Sequence, residues 1–123
     1  MRDDRTTHHE RALIGLCILD PGTIDRIEID LAGYSFTDPH CIVIWPVLFE
    51  LRRKGFPITD VKSLANELRP LGVSAAILVR LCDDACMRGQ EAFHASVLVD
   101  RMRLMRMSTM RGAGFALSQS SLS

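Results

Sequence analysis

Apolar residues recur at helical spacing along almost the whole chain, and no stretch alternates with the period of two that marks a half-buried strand. About six helices follow from that pattern. The first is predicted over residues 8–19, HHERALIGLCIL. Its apolar positions run nearly all round after Ala12, as in a central, buried helix. Asp20-Pro21-Gly22 stops it, and a short second helix runs from Thr23, a suitable N-cap, to about Ile29. Residues 30–38 form a loop around Gly33. The third helix opens with Asp38 as N-cap and Pro39 as first helical residue, where a missing N–H is harmless. Ile42, Trp45 and Phe49 make one stripe, with Cys41, Ile44, Leu48 and Leu51 beside it, and Ile42 and Trp45 are expected to anchor the core. Arg52, Arg53 and Lys54 suit the negative end of the helix dipole, and Gly55 ends the element. Pro46 cannot donate to the Ile42 carbonyl, which predicts a kink or break.

Thr59 and Asp60 are alternative N-caps for a fourth helix, in which Val61, Leu64, Ala65, Leu68 and Leu71 recur at helical spacing before Gly72. A fifth, from about Ser74 to Ala85, turns Ile77, Leu78, Leu81 and Cys82 inward. A turn near Arg88-Gly89 leads to the last helix, from about Glu91 to Thr109. Phe93, Val97, Leu98, Met102, Leu104 and Met105 give it a broad apolar face. The ending, RGAGFALSQSSLS, reads as a frayed terminus or linker. The expected organisation is an arm at 1–7, a helical domain at 8–109 and a flexible tail or linker stub at 110–123. The expected fold is all-α: a compact orthogonal bundle of about six helices with a C-terminal helical hairpin.

Composition changes this picture little. A single domain suits 123 residues, and 47% hydrophobic with 24% charged residues is a globular profile. Fifteen basic and fifteen acidic residues cancel, so whole-chain charge points to neither nucleic acid nor membrane. No apolar run reaches the length of a membrane span, and MRDDRTTHHER lacks the apolar core of a signal peptide. A cytoplasmic location follows as an expectation. There Cys17, Cys41, Cys82 and Cys86 would be free thiols behaving as small hydrophobes.

Three kinds of chemistry can be weighed. Asp38, His40 and Cys41 fall within four positions, the side chains of a metal site or a Cys–His nucleophile. Adjacent His40 and Cys41 point about 100° apart on a helix, however, and Cys82 and Cys86, which could share a helical face as C-x3-C, have no second pair to answer them at a fixed spacing. A capped helix N-terminus accounts for the cluster better, and Cys41 is expected to be merely buried. Neither a G-x-x-x-x-G-K-[ST] nor a G-x-G-x-x-G motif is present, so no ATPase is expected in this chain. Residues 100–111, DRMRLMRMSTMR, hold four Arg, one Asp and four Met. That reads either as a core face with a solvated basic back, or as a helix that packs on a partner helix, since Met suits adaptable surfaces. Direct nucleic-acid binding is less favoured, because aromatic interleaving is absent.

Residues 9 to about 107 resemble the N-terminal domain of the DnaB-type replicative DNA helicases. Glu10, Ile14, Gly15, Ile18 and Asp20 take the places of the acidic, apolar and glycine positions in that family's opening segment. Phe36, His40, Ile42 or Ile44, Gly55, Pro57, Ile58, Asp60, Ser63, Leu64 and Leu68 follow its second segment. Leu78, Leu81, His94 and Val99 fit the third. The sequence departs from the family at the extra residue in Ile58-Thr59-Asp60, in the wording of the turn before the last helix, and at Pro46.

The resemblance implies a non-catalytic collar on a hexameric helicase ring, with terminal hairpins pairing between subunits and primase docking on the collar. It places the ATPase, with its ATP and Mg, in a separate C-terminal RecA-like domain, so no cofactor is expected here. Partners are then a second copy through the hairpin, primase and the helicase ATPase domain, with DNA contact only indirect and no membrane. The interface is expected on Val97, Leu98, Arg101, Met102 and Met105, with Leu78 and Leu81 supporting the hairpin. Two rivals are a stand-alone regulator that mimics the collar and, less favoured, a small helical enzyme using Asp38, His40 and Cys41.

Overall fold

The structure is a computed structural model that describes residues 4–55 and 61–122, with side chains over 6–55 and 61–107. The described residues form six α-helices and one short 3-10 turn, with no strand among them. The helices are α1 (Asp4–Leu19), α2 (Gly22–Asp30), α3 (Pro39–Arg53), α4 (Val61–Leu68), α5 (Ala75–Asp84) and α6 (Glu91–Leu122).

α1 is the axle of the fold. Every residue from Ala12 to Ile18 is buried, and α2, α3, α5 and α6 all pack against this one helix. This explains why its apolar positions go all round: it has no solvent face to keep polar. Gly15 sits where α1 crosses α5. A Cβ placed there would lie 2.0 Å from the Leu81 carbonyl oxygen and 3.0 Å from the Ala85 Cα. The two backbones approach so closely only because position 15 has no side chain. Just beyond, the Cys86 N–H donates to the Ala12 carbonyl at 3.1 Å and ties the turn after α5 onto α1.

Several elements differ in detail from the expected ones. α1 begins at Asp4, inside the expected arm, and the α6 backbone stays helical to Leu122, across the expected start of the tail. The N-cap of α2 is Pro21, not Thr23, and no side chain caps it. Thr23 is instead buried, and its Oγ1 accepts from the Arg26 guanidinium at 2.9 Å.

α3 runs unbroken through Pro46. The expected break is therefore absent: Pro46 and Ile42 both face solvent, so water can satisfy the freed Ile42 carbonyl. The buried stripe of α3 is Cys41, Ile44 and Leu48, one position away from the expected one. Ile42 is 51% exposed, and Trp45 is half-buried in a row of rings with Phe36 and Phe49. In so apolar a helix both stripes look alike in sequence, and the orientation of the capped N-terminus selects between them.

Leu64, Ala65 and Leu68 of α4 and Leu78 and Leu81 of α5 are buried as the spacing predicts, while Leu71 is exposed in the 3-10 turn. Gly72 closes that turn with φ of +87°, a left-handed conformation that glycine adopts without strain. Thr59, Asp60, Pro57 and Ile58 lie outside the described residues. α5 and α6 follow one another through a short turn, and both pack on α1, α5 also on α4 and α6 also on α2.

Candidate functional site

The loop between α2 and α3 is pinned to α1 by one carboxylate. Glu10 is solvent-inaccessible, and it accepts from the Tyr34 hydroxyl, from the Thr37 N–H at 2.9 Å and hydroxyl at 3.0 Å, and from the Asp38 N–H at 2.7 Å. Burial raises the Tyr34 phenol above its ordinary value, and its bond to Glu10 raises it further. Next along α1, Arg11 reaches Asp84 of α5 at 3.1 Å and Asp38 at 3.4 Å. Two consecutive α1 residues therefore fix the loop, the start of α3 and the end of α5.

Asp38 spends its other oxygen on α3. It accepts the N–H groups of His40 at 2.9 Å and Cys41 at 3.1 Å, the arrangement of an N-cap. His40 stays partly exposed, with its Nδ1 4.0 Å from Asp38. Cys41 is completely buried, and desolvation, reinforced by the Asp38 charge, pushes its thiol well above the ordinary range. A thiol without solvent access, held in its neutral form, is a poor nucleophile. The geometry of Asp38, His40 and Cys41 is that of a helix start. Among the described residues no three His, Cys, Asp or Glu side chains group as a metal site.

A second polar contact joins α1 to α6. The Nδ1 atoms of His9 and His94 lie 2.7 Å apart, one donating to the other, with His8 and Phe93 packed edge-on around the pair. Burial and then the neighbouring imidazoles lower both pKa values below the ordinary histidine value.

Above these contacts, the first turn of α1, the 34–37 segment and the face of α6 enclose a cleft of about 490 Å³. Thr6, Tyr34, Ser35, Thr37, Leu98, Arg101, Met102, Met105 and Arg106 line it. Arg101 donates to Thr6 Oγ1 at 2.9 Å, and Arg106 donates to the Gly33 carbonyl at 2.9 Å, so both span the cleft between elements.

This cleft gathers four of the residues expected at an interface: Leu98, Arg101, Met102 and Met105. Met105 is 68% exposed, Arg101 and Met102 are half-buried, and Leu98 forms the floor with no solvent contact of its own. Val97 is half-buried and lies outside the cleft lining. Leu78 and Leu81 are both 0% exposed and packed in the core, so they offer a partner no surface. They were expected at the hairpin because an inward stripe on an isolated helix looks the same whether it faces the same chain or another. Tyr34 and Arg106 were not foreseen. Tyr34 sits in a loop without periodicity, and Arg106 is one arginine among several on its helix.

Among the described residues no helix is long and apolar enough to cross a membrane. Comparison with curated proteins and with solved structures gives no match. Comparison with protein families gives one: residues 3–98 match the DnaB-like helicase N terminal domain. That span holds the buried Glu10, the crossing glycine at 15, the capped start of α3 and the floor of the cleft at Leu98, and with most of its length matched the chain belongs to the DnaB-like helicase N-terminal domain family.

Proposed function

We propose that this chain is the assembly and partner-docking module of a replicative DNA helicase, a collar that pairs subunits and receives primase in DNA replication. The family match over residues 3–98 carries this reading. The structure is consistent with it in two respects. Of the side chains that suggested chemistry, Asp38 is engaged in capping α3 and Cys41 is enclosed in the core. The face of α6 that remains open is apolar with arginines on its sides, which suits binding rather than catalysis.

On this reading the chain needs no cofactor of its own, and ATP and Mg belong to a RecA-like domain elsewhere. It works in the cytoplasm, touches DNA only indirectly, and self-associates through its C-terminal helices. Light scattering at high micromolar concentration tests the assembly, and co-purification with primase and with the helicase ATPase domain tests the docking. Oligomers and a co-purifying partner are expected. A monomer that captures neither overturns the proposal.

A further inference from the structure

We propose that the cleft between α6 and the 34–37 segment is a docking groove for an acidic amphipathic helix of another polypeptide. The inference rests on the partner-binding reading above and narrows it to one surface and one partner chemistry.

Shape is the first argument. The cleft measures about 490 Å³, within the range of about 300–1,000 Å³ typical of binding clefts. Met102 and Met105 stand three apart on the open face of α6, above a floor closed by the solvent-inaccessible Leu98. Such a face is matched by the apolar stripe of a second helix, read at i, i+3, i+4 and i+7. Both residues on that face are methionines, which repack around anchors of different shape.

Charge is the second argument. Among the residues described with their side chains, no Asp or Glu lines the cleft. Elsewhere Arg11, Arg26, Arg52, Arg53 and Arg88 each pair with a carboxylate. Arg106 instead gives its hydrogen bond to a neutral carbonyl, that of Gly33, and has no carboxylate partner among the described residues. Glu10, which holds the Tyr34 hydroxyl, is itself solvent-inaccessible and saturated by donors. The complement of this surface is therefore apolar anchors flanked by carboxylates, which steer approach and fix register. Single-stranded nucleic acid fits less well, because the floor is aliphatic and thioether rather than a stacking platform.

Fluorescence anisotropy with the full chain tests this. The probe is a labelled model peptide of about four turns, with leucines at i, i+3, i+4 and i+7 and glutamates beside them. A lysine-for-glutamate twin, a scramble of the same composition and a labelled single-stranded oligonucleotide are the comparisons. The glutamate helix is expected to bind at least about tenfold tighter than either peptide control, with affinity falling as salt rises. Arg106→Glu should weaken it about tenfold, and Arg106→Gln, which keeps an amide donor for Gly33, should weaken it several-fold with an unchanged circular dichroism melt. Equal binding of the lysine twin or scramble, indifference to both Arg106 variants, or competition by the oligonucleotide overturns the proposal. So does a self-associated state that the peptide cannot displace, since the groove would then hold a second copy. If the peptide fails while oligomers or primase capture persist, the groove is wrong and the module's docking role stands. If all fail, both are wrong.

Discussion

The Asp38 backbone N–H donates to the buried carboxylate of Glu10 at 2.7 Å, and the Asp38 side chain in turn caps α3. One residue thus hands the orientation of α1 to the start of α3. Replacing Glu10 by alanine would leave the buried Asp38 N–H without its acceptor, along with the Thr37 N–H and the Tyr34 hydroxyl. Each hydrogen bond to a charged group is worth about 1.5–3 kcal/mol. Glu10→Ala should therefore destabilise the domain by at least about 3 kcal/mol in chemical denaturation. It should also speed amide hydrogen exchange at Thr37 and Asp38. Unchanged exchange at both would refute the tether.

At Gly15 the usual effect of a glycine-to-alanine change in a helix is reversed. In an exposed helix interior, alanine gains up to about 1 kcal/mol over glycine. Here the added methyl would strike the Leu81 carbonyl, a backbone atom that cannot swing aside. Gly15→Ala should cost about 3 kcal/mol or more, measured by the urea midpoint. A gain in stability would show that α1 and α5 do not cross this closely.

The His9–His94 pair predicts a pH dependence. Both rings have folded pKa values below 6.5, so between those values and 6.5 the unfolded chain binds more protons than the folded one. Stability from this pair is complete above 6.5 and is lost as the pH falls below it. Asp20, Asp25, Glu50 and Glu91, whose pKa values are lowered by arginine or backbone partners, withdraw their contribution only in the carboxylate range beneath. Urea midpoints should fall between pH 7.5 and 5.5 (roughly one unit either side of the free imidazole value). His94→Phe should flatten that fall while leaving the acid limb intact.

Leu81 and Met105 separate core from surface. Leu81→Ala opens a cavity against α1 and should cost about 2–5 kcal/mol. Met105→Ala, at a 68% exposed position, should leave the stability within about 0.5 kcal/mol. If Met105 contributes to docking, its loss appears only in binding. Equal stability effects at the two positions would contradict their placement.

The all-α class and the positions of the helices were legible because apolar periodicity and caps are local. Asp38 and Pro39 show this, and Asp38 accepts the His40 and Cys41 N–H groups as an N-cap should. What periodicity cannot say is which stripe wins when several are apolar. α3 buries Cys41, Ile44 and Leu48 rather than Ile42 for that reason. Nor does it distinguish an inward face from an interface, so Leu78 and Leu81, which the spacing turns inward, read equally as support for a hairpin. The candidate site was half visible. Leu98, Met102 and Met105 follow from spacing on one helix, whereas Tyr34 and Arg106 meet them only through the tertiary approach of the 34–37 segment. Glu10 and Gly15 stood out through the family resemblance, and their physical reasons became apparent only once α1 had neighbours.

Cys17 and Cys41 are fully enclosed on two adjoining helices, while Cys82 and Cys86 are half-open near the end of α5. The molecule thereby carries a graded set of internal timers. A thiol reagent should modify the second pair before the first, and reach Cys17 and Cys41 only when α1 parts from the helices packed on it. The lag between the two labelling phases then counts transient openings of the central helix directly. It can be followed in a mixture or with a partner bound, where a melting curve cannot be read.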